Sequence, residues 1–495
     1  MKLLDQAEGQ AIDAVGVPVS VAGTTGPREE WSQLEHGLLR VLRCVPGMNS
    51  TSASDRVLTA FRGSAWTVIG FGASQLLRLG STLVLARRLL TPEAFGLVAL
   101  VNVFLSGLAL LSDLGIGTDV IQHKRGDEPA FINTAFLIQA GRGMLLWIIA
   151  SSLAYPFAHF YHRPEIRNLA LVAAVSVLVQ GFASGSVWKL TRHVQLGKIT
   201  MLRVGAEATG LVVSIGWAIL SPTAWALVVG RLAAETFFTI GTHLIDGERV
   251  STMWDPIAAK DILAFGAGMF FSSATYFLAG EAERLVVGKF VALAILGCFS
   301  LAVSISAAAT QVAQRIMGQV FFPMISASVR TGPDLAASQF KKVRLMLLVI
   351  SGCMAILFIG AGNWIVWLLL GPRYAMAGWM LQLLGFRAAL DLFTSATTQM
   401  LFALGTSKYA ALGNLAKLAF LAVGLTVSFS MFGVREAIWV LAVSPIFAYL
   451  PLLRGIRTHF QTAFWSEVST FASLIAVAGL AALIYETLVK GAFTL

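Results

Sequence analysis

Long apolar stretches follow one another along most of the chain, and each is about as long as a helix that crosses a lipid bilayer. A spanning helix needs about 20 mostly apolar residues. Turn or charge signals separate the stretches, as in Thr91-Pro92-Glu93. The pattern predicts thirteen spanning helices, and one missed or surplus helix would make the number 12 or 14. They lie at about 64–87, 94–113, 133–157, 166–186, 203–221, 223–245, 262–284, 291–318, 343–369, 376–402, 408–431, 435–454 and 466–488.

The overall composition agrees with this pattern. The chain has 495 residues, of which 57% are hydrophobic and 13% are charged. An ordinary soluble domain carries roughly 25% charged residues. The composition therefore excludes a soluble enzyme, a disordered protein and a disulfide scaffold. We predict an all-α polytopic membrane protein.

The net charge of +10 is explained by membrane topology. Cytoplasmic loops of membrane proteins collect Lys and Arg. Placing the N-terminus in the cytoplasm puts most of these residues in the inside segments, so we predict a cytoplasmic N-terminus and no nucleic-acid partner. The three Cys and seven His residues show no metal-binding spacing. We therefore expect no metal and no cofactor.

Residues 1–61 differ from the rest, because they are rich in Gly, Ser and charged residues and contain no spanning stretch. We predict that they form a cytoplasmic, disordered tail. Met48 precedes a short polar stretch and the first span, so the true start is either Met1 or Met48. We expect residues 1–47 to be dispensable.

A weak internal repeat relates two parts of the chain. The segment Gly210 to Ser214 recurs at Gly424 to Ser428, and Trp225 to Val229 recurs at Trp439 to Val443, both at an offset of 214. One interpretation is chance similarity of apolar segments. The other is two six-helix bundles related by a pseudo-two-fold axis along the membrane normal, with about one extra C-terminal helix.

The second interpretation predicts the domain boundaries. An N-terminal six-helix bundle occupies 62–245, and a C-terminal six-helix bundle occupies 262–457. Between them, 246–261 is a cytoplasmic linker, and 458–495 adds an extra transmembrane helix and the C-terminus. A transport pathway would lie between the two bundles.

Several charged residues lie inside the predicted spans, where each needs a partner or a wet cavity. Three arginines have a carboxylate four residues further along the same helix face. The pairs are Arg203 with Glu207, Arg231 with Glu235, and Arg387 with Asp391. Each pair either neutralises itself, or its carboxylate holds and releases the Arg as a cation or substrate exchanges. Candidate substrate-binding cations are thus Arg231 and Arg387, and candidate ion-coupling residues are Glu207, Glu235 and Asp391.

Arg78 and Arg142 have no such local carboxylate. Arg78 lies near the middle of the first span, one turn after Gln75, and Arg142 lies between two glycines of the third span. A water-filled lumen would accommodate both, and their matching ligand is an anion such as a diphosphate. The alternative is that each packs against helix carbonyls and stabilises the bundle. Lys417, which also lacks a local partner, is interpreted as structural.

Two stretches carry a resemblance to a known family. They are LARRLLTPEAFGLVA, from Leu85 to Ala99, and ERLVVGKF, from Glu283 to Phe290. Both resemble bacterial polysaccharide exporters of the oligosaccharide-lipid flippase type, within the multidrug/oligosaccharidyl-lipid/polysaccharide exporter superfamily. The resemblance covers roughly 60 to 460 and implies a multi-pass protein of the bacterial cytoplasmic (inner) membrane.

The resemblance implies a flippase for a polyprenyl-diphosphate-linked oligosaccharide, used to make exopolysaccharide, capsule or O-antigen (lipopolysaccharide). Membrane lipid would be a partner, and a polysaccharide polymerase and export proteins are further candidate partners. Two alternatives remain: a cation-coupled multidrug exporter of the same superfamily, and a membrane-embedded polysaccharide-assembly enzyme. No polar loop is long enough to hold a catalytic site convincingly, so we expect no enzyme.

Overall fold

The computed structural model describes residues 70, 72–111, 115–193, 195–245, 253–266, 282–459 and 461–484. Regular structure within these ranges is helical throughout. The predicted tail 1–61, including Met48, lies outside the described residues. The same is true of the first part of the predicted linker 246–261 and of the last residues of the chain.

The helices are numbered here in chain order. The N-terminal helices are α1 (72–89, ending in a π-helical turn Leu85–Leu89), α2 (Pro92–Leu111), α3 (Ile116–Gln122), α4 (Pro129–Phe160), α5 (Glu165–Gly181), α6 (Ser186–Arg192), α7 (Leu196–Leu220) and α8 (Trp225–Leu244). A connecting helix, α9, covers 256–266. The C-terminal helices are α10 (Ala282–Phe290), α11 (Leu293–Ile316), α12 (Phe322–Thr331), α13 (Pro333–Leu370), α14 (Met376–Ala403), α15 (Lys408–Met431) and α16 (Val434–His459), and α17 (Gln461–Ile484) follows them.

Each predicted span overlaps a described helix. The first is described from residue 72 and the last as far as residue 484, and the seventh only at its two ends, by α9 and α10. In the part of the chain that is described, seven helices are long and apolar enough to cross a membrane, or eight if the bent pair α5–α6 is one span. Helices α8 and α14 fall outside that set, and both carry charged pairs that lower their hydropathy. The prediction of an all-α, multi-pass membrane protein is confirmed.

Some predicted boundaries are wrong. The fourth predicted span, 166–186, is broken, because α5 ends at Gly181 and the chain bends by 57° into the short helix α6. Helix α13 starts at Pro333, ten residues before its predicted beginning at 343. Proline lacks a backbone N–H, and the first turn of a helix leaves its N–H groups unbonded, so Pro333 opens this helix rather than ending it.

Helix α9 begins inside the segment predicted as a linker. Its buried residues Ala258 and Ile262 pack against a small apolar cluster formed by α3 and α4. The carboxylate of Asp255, directly before the helix, accepts a hydrogen bond from Arg125 Nη2 at 2.7 Å. The connection to the C-terminal helices is therefore docked on the N-terminal helices by apolar and polar contacts.

The two helix pairs that the sequence repeat relates are both packed hairpins. Helix α7 packs against α8, and α15 packs against α16. A Cβ at Gly210 of α7 would lie 2.9 Å from the Cβ of Ala234 on α8, and a Cβ at Gly424 of α15 would lie 2.7 Å from a methyl group of Val440 on α16. Both glycines therefore allow close approach of the following helix. Their partners Ala234 and Val440 do not stand at the offset of 214, so the two contacts are not in the same register.

A reciprocal contact joins the N-terminal and C-terminal helices at the starts of α2 and α11. A Cβ on Gly297 would overlap the carbonyl oxygen of Pro92, and a Cβ on Gly96 would overlap the carbonyl oxygen of Leu293. Gly96 is four residues after Pro92, and Gly297 is four residues after Leu293. Each glycine thus contacts the residue four positions before the other glycine. A two-fold axis produces reciprocal contacts of this kind.

Candidate functional site

Two tyrosines reinforce the α2–α11 contact from opposite sides. The hydroxyl of Tyr374 donates a hydrogen bond to the carbonyl oxygen of Leu90 at 3.0 Å. The hydroxyl of Tyr161 donates to the carbonyl oxygen of Leu285, also at 3.0 Å. Each tyrosine thus binds the backbone of the opposite set of helices.

Two cationic side chains also form hydrogen bonds between the N-terminal and C-terminal helices. Arg87 donates to the carbonyl oxygen of Leu368, and Lys289 donates to that of Phe160. We call the contacts of Gly96, Gly297, Tyr161, Tyr374, Arg87 and Lys289 the seal. The seal lies at the helix ends that the charge distribution predicts to face outward.

Arg78 on α1 is linked to the C-terminal helices through the side chain of Gln75. Its guanidinium is exposed to solvent-accessible space and donates to the side-chain oxygen of Gln75, one turn earlier on α1. The amide of Gln75 in turn donates to the side-chain oxygen of Gln311 on α11. Arg78 therefore sits at one end of a polar chain that crosses from the N-terminal to the C-terminal helices.

Arg142 is partly buried between α4 and α2. Its Nη2 donates to the carbonyl oxygen of Ala109 on α2 at 2.8 Å. The neighbouring Gly143 packs against Gly181 of α5, where a Cβ would lie 2.7 Å from the Cα of Gly181. The packing of Arg142 against a helix carbonyl is the geometry expected for a stabilising role, although the guanidinium has further donors.

Arg78 and Arg142 lie at different depths. At 1.5 Å per residue, Arg78 is about 17 Å and Arg142 about 27 Å from the seal end of its helix. Each guanidinium donates to a different acceptor: Arg78 to the side chain of Gln75, and Arg142 to the carbonyl oxygen of Ala109.

Charges on α7 and α8 form a mostly local cluster. Arg231 Nη2 lies 2.6 Å from Glu235 Oε1, which confirms that pair; the Arg231 side chain is 52% exposed and that of Glu235 is 5% exposed. The predicted pair Arg203–Glu207 is not formed among the described residues. The guanidinium of Arg203 instead lies over the ring of Phe238, 3.7 Å from its centroid, in a cation–π contact.

Charges in the C-terminal helices form a connected chain. Arg387 Nη1 donates to Glu283 Oε2 at 2.6 Å, and its Nε lies 3.5 Å from Asp391 Oδ2. Lys417 Nζ lies 3.4 Å from Asp391 Oδ1. The predicted pair Arg387–Asp391 is confirmed, and it is extended at both ends by residues from α10 and α15. Lys417 and Arg203 occupy the same repeat position, at the offset of 214.

A second buried network holds α17, and sequence reasoning missed it. Arg344 on α13 is only 4% exposed. Its Nε lies 2.6 Å from Glu467 Oε1 on α17. Two further nitrogens donate to Thr397 at 2.7 Å and to Tyr449 at 2.5 Å. The only usable sequence signal was that Glu467 is an acid at the start of an apolar helix.

The chemistry of these clusters is the binding of charged groups. Arginines offer several fixed donors to an anion, and carboxylates offer oxygens to a cation. Within the described ranges, no three His, Cys, Asp or Glu side chains lie close enough together to hold a metal ion.

The helical arrangement is that of a known class of membrane transporters. The lipid II flippase MurJ in an inward closed conformation aligns with a TM-score of 0.61 at 13% identity, and the alignment covers 88% of this chain and 100% of that one. An inward-facing multidrug resistance MATE family transporter of the MOP superfamily aligns with a TM-score of 0.56 at 13% identity, covering 79% and 96%. The chain has the fold that these transporters share.

The family follows from the sequence comparison. Residues 84–377 match the polysaccharide biosynthesis protein family, and the chain belongs to that family. The succinoglycan biosynthesis transport protein ExoT of Rhizobium meliloti (strain 1021) is 20% identical over 265 residues, or 54% of this chain. The match spans about half of that relative, 53% of its length. This relative and the two aligned structures are named as transport proteins.

Proposed function

We propose that this protein is a flippase for a polyprenyl-diphosphate-linked oligosaccharide in the bacterial cytoplasmic membrane. It would move this lipid from the inner to the outer leaflet for exopolysaccharide, capsule or O-antigen synthesis. The polysaccharide biosynthesis family and the transporter fold support the proposal. A polysaccharide polymerase and export proteins are proposed partners, because they would use the flipped product.

The environment of Arg78 is the observation that carries the proposal. Among the described residues, its hydrogen-bond partner is the neutral amide of Gln75, so the positive charge is not cancelled by a carboxylate. A charge at this depth is costly unless it has a wet cavity or a ligand of opposite sign. A diphosphate supplies that charge, and a guanidinium binds phosphate oxygens bidentately.

Arg142 is proposed as a second contact for the same ligand. One of its nitrogens donates to the carbonyl oxygen of Ala109 at 2.8 Å, and a guanidinium is the side chain best suited to bind phosphate oxygens. Measured along its own helix, Arg142 lies about 27 Å from the seal end and Arg78 about 17 Å, so we assign the two residues to different parts of an extended head group.

The division into two bundles, 62–245 and 262–457, with a linker at 246–261 and an extra helix in 458–495, remains part of this proposal. The reciprocal contact of Gly96 and Gly297 supports it. The seal would close the pathway at the outer end while the substrate enters from the inner leaflet with the N-terminus in the cytoplasm. Opening the seal would release the sugar outside.

The carboxylates are proposed to couple transport to a cation. Glu207 is half-buried and makes no ion pair with any described residue, so its oxygens are available to a cation. Glu235 and Asp391 already hold Arg231 and Arg387. A cation that binds one of these two carboxylates would release its arginine toward the substrate.

The test is export in a strain that lacks its own flippase, with the amount of membrane-inserted protein measured in parallel. Arg78→Ala should abolish most export at a normal protein level. Arg78→Lys should restore part of it, because the charge returns without the planar fork. Arg88→Ala is the matched control, since Arg88 is exposed at the end of the same helix, and it should export normally.

Normal export by Arg78→Ala would remove the substrate role of this residue. Loss of protein together with loss of export would assign Arg78 to stability instead. Drug resistance conferred on a pump-deficient strain, without any polysaccharide export, would favour the multidrug exporter.

A further inference from the structure

A cavity of about 410 Å³ lies beside the seal, between the two sets of helices. The turn between α4 and α5 provides Tyr161, His162 and Arg163 on one side. The junction of α10 and α11 provides Lys289 and Leu293 on the other. Binding sites for small groups begin at about 300 Å³, so the cavity has room for a phosphate and its ester carbon chain.

The polar walls of the cavity are cationic or neutral. Arg163 and Lys289 are exposed cations, His162 adds a ring N–H donor, and no acidic side chain lines the cavity in the part of the chain described. Lys289 donates to Phe160, which leaves other N–H donors on its ammonium group. The guanidinium of Arg163 makes no hydrogen bond or ion pair with any described residue. The cavity therefore brings together hydrogen-bond donors without a carboxylate among its described lining residues to neutralise them.

The backbone at His162 presents this side chain in an unusual way. Its φ of 54° is in the left-handed region, and it is the only non-glycine residue with a positive φ among those described. The position follows the C-terminus of α4, where glycine usually ends a helix. A side chain kept at a position suited to glycine is consistent with a role at the cavity.

The start of α11 adds to the positive potential at the cavity. Leu293, its first residue, lines the wall, and the preceding Ala292 provides no side-chain cap. The first turn of α11 carries no acidic residue. The unbonded N–H groups at the start of a long helix favour a nearby anion.

We propose that this cavity binds a phosphate ester at the membrane surface, with Arg163, Lys289 and His162 as its donors. Two molecules could supply it: the head group of an anionic phospholipid, or the diphosphate of the transported lipid. Only the second source rests on the function proposed above. Because its donors come from both sets of helices, the bound phosphate holds the seal closed.

The test measures the melting temperature of the purified full-length chain in nanodiscs. Discs of phosphatidylcholine are compared with discs that also contain phosphatidylglycerol, and with phosphatidylcholine discs that contain a polyprenyl diphosphate. A ligand that binds only the folded state raises the melting temperature. We expect a rise of about 2 °C or more with at least one of the two phosphate lipids.

The variants assign that rise to the cavity. Arg163→Gln combined with Lys289→Gln should lose most of it, and His162→Gly should lose part while relieving the backbone. The matched control is Arg88→Gln with Arg167→Gln, which also removes two exposed cations; Arg167 lies over Tyr155, outside the cavity lining. The control should keep the full rise.

A rise with phosphatidylglycerol identifies the phospholipid head group, and a rise only with the polyprenyl diphosphate identifies the substrate. The proposal is overturned if the cavity variant keeps the full rise, if the control loses as much, or if neither lipid produces a rise. The measurement needs no transport, so its outcome is separate from the export test of Arg78.

Discussion

The N-terminal and C-terminal helices hold their interior charges in different ways. In the N-terminal helices, Arg231 pairs with a carboxylate of its own helix, and Arg78 contacts only a neutral amide among the described residues. In the C-terminal helices, Arg387 binds Glu283 of another helix, and Arg344 binds Glu467 of α17. The first arrangement leaves guanidinium groups accessible, and the second encloses them.

This difference separates two uses of the same residue type. A charge that ties two helices together is buried, and removal of its partner leaves an uncompensated charge. Removing the partner of a half-exposed charge lowers the stability of the protein only slightly, because solvent and salt screen that charge. We infer that the Arg344–Glu467 network mainly stabilises helix packing, whereas Arg78 and Arg231 remain able to bind a ligand.

The largest effect is expected for the network that holds α17. Arg344→Met should lower the free energy of unfolding by about 3–5 kcal/mol, because Glu467 is left as a buried charge. Thermal melting of the purified protein measures this. Lys341→Met, at an exposed position one turn earlier, should change it little.

The double variant Arg344→Met/Glu467→Leu tests the cause. It should recover most of the lost stability, since an apolar pair of similar volume needs no charge compensation. Equal losses in the single and double variants would show that Arg344 acts by packing on its aromatic neighbours instead.

The next largest effect is the difference in stability loss between an arginine variant of the C-terminal helices and one of the N-terminal helices. Arg387→Gln should cost about 3 kcal/mol, because Glu283 is buried and loses its cation. Arg231→Gln should cost less than about 1 kcal/mol, because Arg231 is half exposed and Arg203 lies close enough to Glu235 to interact electrostatically. Melting temperatures of the two variants, measured side by side, check the contrast. Similar losses in both would contradict it.

The seal should respond symmetrically to added volume. Gly297→Ala should destabilise the closed form by about 1–3 kcal/mol, because the new methyl group meets the backbone of Pro92. Gly96→Ala should have a matching effect at Leu293. Gly352→Ala is the control, since a Cβ there meets open space and alanine favours a helix. Distances between spin labels placed across the seal measure how far each variant shifts the protein from the closed form. Unequal shifts in the two glycine variants would argue against two-fold symmetry.

The smallest effect concerns the docking of α9 on the N-terminal helices. The hydrogen bond from Arg125 lowers the pKa of Asp255 below its ordinary 3.8. The stabilising contribution of this carboxylate is therefore present above pH 3.8 and is lost as the pH falls through the lowered pKa. The protection factors of the amides in 253–266, which are exchange rates corrected for the intrinsic pH dependence, should fall over that range. In Arg125→Gln they should no longer change with pH. Protection that still falls with pH in this variant would assign the effect to another group.

The charged pairs show how far helix periodicity leads. An i,i+4 spacing places two side chains on one face, so Arg231–Glu235 and Arg387–Asp391 were predictable. The same spacing predicted a pair of Arg203 with Glu207 that does not form. The guanidinium of Arg203 instead lies over the ring of Phe238 on the neighbouring helix. The partners Glu283 and Lys417 lie on other helices, and no spacing within one helix could reveal them.

The sequence by itself determined the helical membrane architecture, because the length of apolar runs and the turn signals between them are local properties. It also determined the family through the stretch that begins at Leu85. Tertiary structure alone decided which charges are enclosed and where the two sets of helices meet. Those outcomes depend on which helix faces approach each other, as at Gly96 and Gly297, and a contact between positions distant in the chain leaves no periodic trace in the sequence.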